Sequence, residues 1–347
     1  MPAPEETAVA QAVGGGDAPR VLISVVTWNS RDSVLPCLAA LAAQTAPADI
    51  MVIDNASSDG CLDLVRAAHP GVQTVALASN TGFCGGHNVA LRHALAQGHD
   101  VVWLVNDDTR CAPDTLARLL AEMQRHPQAS VVSPVIVNET HSGSGASRHV
   151  EFCGAALDPR VLRKRKASDS AHALALAADP DLMPVVHGTA ILLRRSLIER
   201  IGLLNEQLFA YFDDDDLSTR CQRSGAAVRM CADAEVWHDN PVATERGPHY
   251  HYLMTRNRWL FWRAFFGGRL GTDRARRLLA RTLREAGSLI GRAQPNNARA
   301  VLRGLADALR GTTGAPPPAY TFSPLLFKLL TWHPYYLAGL LHADADV

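Results

Sequence analysis

The sequence predicts an α/β fold: a doubly wound, mostly parallel sheet followed by a helical C-terminal extension. Three observations predict it. Apolar, β-branched runs alternate with helix-like segments through the first half of the chain, the pattern of successive βαβ units. Each run ends in a polar cluster, as expected where the strand ends of such a sheet open on a ligand crevice. From about residue 249 the apolar spacing becomes helical and arginine-rich.

The elements follow in order. "VLISVVTWN" (21–29) is a continuous apolar run with a polar end, a strand buried on both faces, and "SVLPCLAALAAQ" is its helix. "DIMVIDNASSDG" (49–60) repeats the strand and turn, with a helix through "CLDLVRAAH". "VQTVALASN" (72–80) is a third strand, and the turn "TGFCGGHN" (81–88) opens the helix "VALRHALAQG". "DVVWLVNDDT" (100–109) is the fourth strand, with "PDTLARLLAEMQRH" as its helix. After "ASVVSPVIVN" (129–138) the periodicity dissolves. The stretch up to about residue 183 reads as a long loop with a short strand or hairpin, with a basic run at 160–166 inside it. "VVHGTAILLRR" (185–195) is again a strand. The helix "SLIERIG", the run "YFDDDDLSTR" (211–220) and the strand-like "AVRMCADAEVWHDN" follow. "YHYLMTRNRWLFWRAFF", "DRARRLLARTLREAGSLI" and "NARAVLRGLADALRG" are helices; in the last, Leu302, Leu305 and Leu309 keep helical spacing, with arginines on other faces. The expected organisation is a disordered tail (1–20), a body (21–248) with halves 21–138 and 184–240, and a helical region (249–347).

Composition narrows the class. At 347 residues and 47% hydrophobic the chain can bury a large core. Net charge is zero but unevenly spread: residues 251–310 hold 13 Arg, no Lys and 3 acids, leaving 21 basic and 31 acidic residues elsewhere. An acidic body suits a metal-using site, and an Arg-rich region suits anions or an anionic membrane surface; a solvated helical face or a homo-oligomer contact is the plainer reading. No nucleic-acid partner is expected. Seven cysteines without CxxC spacing suggest neither a disulfide framework nor a zinc site, which fits a reducing cytoplasm. The N-terminus lacks the basic and apolar regions of a signal peptide. "SPLLFKLLTWHPYYLAGLL" (323–341) comes nearest to a membrane span but is interrupted by Lys328, His333 and Pro334.

Four polar clusters converge on the expected crevice: Thr27–Asn29, Asp54–Ser57, Asn80–Gly86 and Asn106–Asp108. "NDDT" (106–109) ends an apolar strand, so Asp108, with Asp107 and Asn106 beside it, is placed to hold a divalent cation or a phosphate; a helix cap is the alternative. "GFCGG" lacks the spacing and first-strand position of a dinucleotide fingerprint. Its glycines suit close backbone approach to a ligand, or a plain tight turn. His238 in "VWHDN" is an imidazole that Mn²⁺ tolerates better than Mg²⁺. Four adjacent aspartates repel, which raises their pKa values and suits a base near neutral pH.

Taken together, "VVTWN…VIDNASSDG…NTGFCGGHN…LVNDDT…HGTAILLRR…YFDDDDLSTR…VWH…YLMTRNR" resembles a family 2 inverting glycosyltransferase of the GT-A fold. Within it the chain is most similar to bacterial rhamnosyltransferases and galactofuranosyltransferases of cell-surface polysaccharide assembly. The resemblance spans about residues 21–265. It implies a nucleotide-sugar donor, UDP- or dTDP-linked, and Mg²⁺ or Mn²⁺. It implies donor contacts at Thr27, Asn29, Asp54 (the nucleobase edge), Asn55, Ser57, Asn80, Gly82, Gly85, Gly86, Asn88, Asn106 and Asp107. It implies metal ligation by Asp108 and His238, with Asn106 standing at the first acidic position of a DxD-type element. His187, Gly188 and Thr189 match the acceptor side. Asp213, where the family has Glu, matches the acid that meets the acceptor, and Asp214 matches the base. Asp215 then reads as a solvated residue and Asp216 as the start of the following helix.

Inverting transfer is one displacement, in which a carboxylate takes the acceptor proton opposite the leaving group. The resemblance further implies a glycan or polyprenyl-diphosphate-linked saccharide as acceptor, and a cytoplasmic protein peripheral on the inner face of the membrane. Two other readings remain: a nucleotidyltransferase, which would need a glycine-rich basic loop where "TWNSRDS" offers only Arg31, and a non-catalytic sugar-binding or scaffold protein, motivated by Asn106.

Overall fold

The structure, a computed structural model, describes residues 18–142, 145–239 and 246–332. The expected tail lies outside them through residue 17, as does the C-terminal part of the apolar stretch at 323–341. The first half is built as the periodicity predicts. Strands β1 (Val21–Thr27), β2 (Asp49–Asp54), β3 (Gln73–Ala76) and β4 (Val101–Asn106) are joined by helices α1 (Val34–Ala42), α2 (Cys61–Ala68) and α3 (Gly82–Gln97). All four strands run parallel, in the order β3-β2-β1-β4.

Alternate residues of these strands feed two apolar layers, which is why the runs carry no polar alternation. Val21, Ile23 and Val25 join Cys37 and Leu38 of α1 on one face. Leu22, Met51 and Leu104 join Ala90 and Leu91 of α3 on the other.

Beyond β4 the sheet becomes mixed. A short β5 (Thr109–Cys111) precedes α4 (Thr115–Arg125). Strand β6 (Ala129–Ser142) turns back through β7 (Gly145–Phe152), and the region between 139 and 183 is more ordered than the sequence suggests. It holds β8 (Ala155–Asp158), β9 (Arg163–Lys166), α5 (Ser170–Ala178) and β10 (Met183–Val185), and the order β10-β8-β9 forms a second, antiparallel sheet. The expected long loop is therefore a small subdomain. Its strands are three or four residues long, too short for a recognisable period, and a wholly buried Asp158 braces them, with Arg160 and Arg165 as its partners.

The chain returns through β11 (Ala190–Arg194), α6 (Arg195–Ile201), α7 (Asp213–Arg223) and β12 (Ala227–His238). The full order, β3-β2-β1-β4-β11-β6-β12-β5, has β11 antiparallel to β4 and β12 antiparallel to β5. Pairing of Thr109 with His238 brings the end of β12 beside the end of β4. A bidentate pair from Arg110 to Asp239, 2.8 Å on each arm, holds it there.

Helices α8 (Pro248–Phe265), α9 (Thr272–Gly291), α10 (Pro295–Arg310) and α11 (Pro324–Trp332) complete the described chain. Trp259, Phe261 and Trp262 of α8, Leu278 of α9 and Leu305 of α10 join the same apolar cluster as the β1 and β4 side chains, while Phe327 and Leu330 of α11 pack on a separate α9–α10 cluster. Two sequence expectations need correction. Leu302 and Leu305 are buried but Leu309 is exposed, because it lies near the helix end. The arginines are not one surface set: Arg256 and Arg258 are buried because α8 is covered on nearly all sides.

Candidate active site

The crevice floor is knitted by the polar clusters themselves. Asn29, at φ 53°, accepts from the Ser58 N–H at 2.8 Å, while its own N–H donates to Ser57 Oγ at 2.9 Å. These contacts lock the turn after β1 to the turn after β2. Asp54 is buried at the β2 end and accepts from the Ser57 N–H, 3.3 Å to either oxygen. Thr27 and Ser30 hydrogen-bond to Asp107, whose carboxyl burial pushes up to about 6.

Several expected donor contacts have partners within the protein. Asn55 is buried, taking the Thr81 N–H at 2.8 Å and donating to Gly82 O at 2.9 Å. Asn80 Oδ1 accepts from the Gly82 N–H at 2.8 Å. The glycine-rich segment is not a turn before α3 but its first two turns, because Gly82 starts the helix. At φ 73°, Gly82 lies so close to Phe209 O that a Cβ would stand 2.3 Å from it. A Cβ on Gly86 would stand 2.7 Å from Val26 Cγ1, and one on Gly85 2.5 Å from Thr81 Cβ. These glycines admit the close packing of α3 against Phe209, Val26 and Thr81. Asn88, also buried, clamps Leu204 through its N–H and C=O and reaches Glu206.

At the junction of β4, β5 and β12, Asp108 Oδ1 faces His238 Nε2 at 3.3 Å. The other ring nitrogen, Nδ1, lies 2.9 Å from Glu151 Oε2 on β7. With a cation bound, donation from Nδ1 to Glu151 would leave the Nε2 lone pair free to ligate beside Asp108, the carboxylate–histidine arrangement typical of metal-ligating imidazoles. Asp108 Oδ1 is buried without a hydrogen-bond partner, which costs free energy unless a cation or proton fills the gap. Burial works against an imidazolium at His238, yet its bonds to Asp108 and Glu151 lift it to about 9. The hydrogen bond from His238 holds Glu151 down at about 2.

These residues fit a divalent cation. They supply only a pair of ligands, and no group of three or more His, Cys, Asp or Glu able to hold a metal occurs among the described residues. The remaining positions would fall to substrate phosphates and water.

Glu151 also links this pair to the second acidic centre. Its Oε1 lies 4.0 Å from His187 Nε2, and burial lowers the His187 pKa to about 4, leaving the ring neutral. His187 Nδ1 is 3.0 Å from Thr189 Oγ1, and Thr189 O accepts the Asn106 N–H at 2.9 Å. Gly188 borders Asp213: a Cβ there would be 3.6 Å from Asp213 Oδ2. The segment 187–189 thus lies between the β4 end and the aspartate run.

That run is the first turn of α7, which starts at Asp213 and not at Asp216. Four carboxylates there face the positive end of the helix dipole. Arg220 takes Asp216 at 2.8 Å. Asp215, expected to be solvated, is buried, and Lys164 of β9 sits 2.6 Å from its Oδ1 and 3.5 Å from Asp214 Oδ2. Asp214 Oδ1 accepts the Asp215 N–H at 2.9 Å. Burial, then the Asp214 charge, pushes Asp213 up to about 8. Burial likewise lifts Asp215 to about 7 against the pull of Lys164.

The approach to this turn is strained, since Phe209, Tyr211 and Phe212 all have φ between 66° and 68°. Asn257 of α8 offsets the strain by donating Nδ2 to Leu208 O, Ala210 O and Tyr211 O at 2.8, 2.7 and 2.9 Å. Arg256 adds a bond to Leu208 O at 3.0 Å. Glu151 and Lys164 escaped the sequence reading because they lie in the region taken as loop. "HVEF" (149–152) alternates polar and apolar residues, whereas "RKRK" (163–166) carries no such signal. Asn257 belongs to the "YLMTRNR" piece of the resemblance, but nothing in its spacing announces a clamp.

A parallel first half, a mixed second half and two acidic centres on either side of residues 187–189 are the features of the GT-A fold. The fold aligns with S. aureus TarS bound to UDP-GlcNAc at a TM-score of 0.54 and 17% identity, covering 93% of this chain and 86% of that one. It aligns with GalNAc-T7 bound to UDP, GalNAc and Mn²⁺ at a TM-score of 0.52 and 12% identity, covering 68% and 47%. Residues 19–261 match the family described as "Glycosyltransferase like family 2". Galactofuranosyltransferase GlfT1 of Mycobacterium tuberculosis is 34% identical over 228 residues, 63% of this chain and 69% of the relative. N-acetylglucosaminyl-diphospho-decaprenol L-rhamnosyltransferase of the same species is 25% identical over 249 residues, 66% and 79%. The chain belongs to glycosyltransferase family 2 and is a glycosyltransferase, which sets aside the nucleotidyltransferase and scaffold readings.

Proposed function

We propose that this chain carries out inverting transfer of a rhamnose- or galactofuranose-like sugar from a UDP- or dTDP-sugar to a hydroxyl of a saccharide acceptor. The acceptor is a glycan or a polyprenyl-diphosphate-linked saccharide, the latter as the name of the rhamnosyltransferase relative suggests. The observation that carries the reading is the pair of separate acidic centres, Asp108–His238 and Asp213–Asp216, flanking residues 187–189.

Asp108 and His238 would hold Mg²⁺ or Mn²⁺, which supplies Lewis-acid stabilisation of the departing diphosphate. GalNAc-T7 is a neighbour of this fold with Mn²⁺ bound. Thr27, Asn29, Asp54, Ser57 and Asp107 line the donor side, and Asn106 occupies the first position of the DxD-type element. Asp214, partly exposed at the head of α7, accepts the proton of the acceptor hydroxyl. Asp213, protonated at neutral pH, can both donate to and accept from a sugar hydroxyl. His187, neutral, and Thr189 complete the acceptor side.

No helix among the described residues is long and apolar enough to cross a membrane. Peripheral contact with the inner face of the cytoplasmic membrane would fall to the outward arginines of α9 and α10. Salt-sensitive binding to anionic vesicles tests this, and salt-insensitive binding would overturn the electrostatic version. The transferase reading is tested by a panel of nucleotide sugars with Mn²⁺, scored by hydrolysis and transfer. Wild type should turn over a UDP- or dTDP-sugar, while Asp108→Ala and Asp214→Asn should not. Failure of wild type across the panel would remove the proposal.

A further inference from the structure

We propose that Lys164, on the edge strand of the small sheet, is a positioning residue for the transfer, holding Asp214 ionised and oriented by bridging it to Asp215. The inference rests on Asp214 being the base. Both oxygens of Asp214 are engaged from outside its own side chain: Oδ1 by the Asp215 N–H at 2.9 Å, Oδ2 by the Lys164 ammonium at 3.5 Å. The same ammonium lies 2.6 Å from Asp215 Oδ1. A carboxylate held at both oxygens keeps one orientation, yet each oxygen has a second lone pair for an incoming hydroxyl.

The lysine is delivered by a braced hairpin. Strand β9 pairs with β8, Lys164 opposite Leu157. Asp158, wholly buried, takes Arg160 at 3.1 Å and also pairs with Arg165; Arg160 reaches Asp181 at 2.8 Å. The four-carbon stem of a lysine loses substantial rotamer freedom when fixed, and the rigid hairpin supports it at that position.

The charges facing Asp214 come from three elements. Asp213, Asp215 and Asp216 share its helix, and Asp216 is already taken by Arg220. His187, from the turn before β11, faces it as a neutral ring. Lys164, from β9, is the cation in contact with Asp214 and Asp215. Burial opposes its charge, but the two carboxylates keep its pKa above the ordinary lysine value. Without it, Asp214 and Asp215 would face each other with no cation between them, and like charges this close favour a proton shared across the pair.

The test uses the full chain as wild type, Lys164→Met, Lys164→Arg and Asp214→Asn, with hydrolysis of the donor found by the panel followed from pH 5 to 9. Lys164→Met should move the acid limb of the rate profile up by about one to two pH units, the effect of removing an opposite charge at this distance. Its rate should be about ten-fold or more lower at pH 7 and recover as pH rises. Lys164→Arg should restore the wild-type limb. An unmoved limb, or an equal loss at every pH, would show that Lys164 serves only the packing of the hairpin. If Asp214→Asn stays active, the base assignment falls first; if it is inactive and the Lys164→Met limb has not moved, only the lysine's role falls. Carboxyl ¹³C titration of aspartate-labelled protein gives the same answer without turnover: aspartate titrations that do not rise in Lys164→Met overturn the proposal. Lys164→Gln replaces the methionine variant if thermal unfolding shows the latter misfolded.

Discussion

The two acidic centres of the crevice handle crowded charge in opposite ways. At the β4–β12 junction, Asp108 keeps a buried oxygen without a hydrogen-bond partner, opposite an imidazole whose other nitrogen is tied to Glu151. At the head of α7, four carboxylates are met by the helix dipole, Lys164 and Arg220. The first centre is balanced only by the His238 imidazolium, whose Nε2 proton an arriving divalent cation would displace. The second is largely compensated by the protein itself and suits a proton acceptor whose charge must not be taken up by a metal. The difference teaches that a run of acids is not a metal site when its cations are built in.

The sharpest way to break this comparison is to remove one member from each centre. His238→Ala should abolish measurable Mn²⁺ binding by electron paramagnetic resonance. Asp214→Asn should leave Mn²⁺ affinity near wild type while lowering turnover by about 10²–10⁴-fold, the usual worth of a general base. If Asp214→Asn also loses the metal, the two centres are one, and the division of labour is wrong. Glu151→Gln should weaken Mn²⁺ binding by about 10–100-fold, as loss of an imidazole-orienting carboxylate does; unchanged affinity would mean that Glu151 only spaces β7 from β12.

The donor half was legible because its physics is local. Continuous apolar runs such as 21–27 and 101–106 specify strands buried on both faces, and their polar ends specify the crevice. The acceptor half was less legible because its cations arrive from far along the chain. Lys164 meets Asp215 across 51 positions, and Glu151 meets His238 across 87. Lys164 sits on a four-residue strand of the small sheet, and Glu151 on β7, which pairs with β6 at the margin of the main sheet. The packing that the glycines after β3 admit was illegible for a related reason. A glycine that admits Val26 or Phe209 and one that admits a phosphate look identical until the packing partner is known.

A smaller effect probes what holds the second centre in place. Asn257 satisfies three carbonyls in the strained segment before α7. Asn257→Ala should cost about 2–3 kcal/mol in urea unfolding, since each lost bond in a buried setting is worth about 1 kcal/mol. It should lower turnover through the misplaced acids while sparing Mn²⁺ affinity. A metal-affinity loss of the same size would mean that α8 supports the whole crevice and not the α7 side alone.

The smallest expected effect tests the charge state of Asp213. Its carboxyl, lifted to about 8 by burial and by Asp214, keeps its proton in the folded protein over a range where the unfolded chain, at the ordinary value of 3.8, has released it. The folded state therefore binds more protons, and this contribution to stability is full below the unfolded value and is lost as pH rises from about 4 to about 8. Asp213→Asn, a neutral group of the same shape, lacks that slope. In urea unfolding the variant should match wild type below about pH 4 and gain on it as pH rises to about 8, by up to about 1.4 kcal/mol per pH unit. Parallel curves for the two proteins would mean that Asp213 is ionised at neutral pH. The compensated centre would then hold four carboxylates against the two cations Lys164 and Arg220, and it would resemble the metal-side centre in its need for a cation.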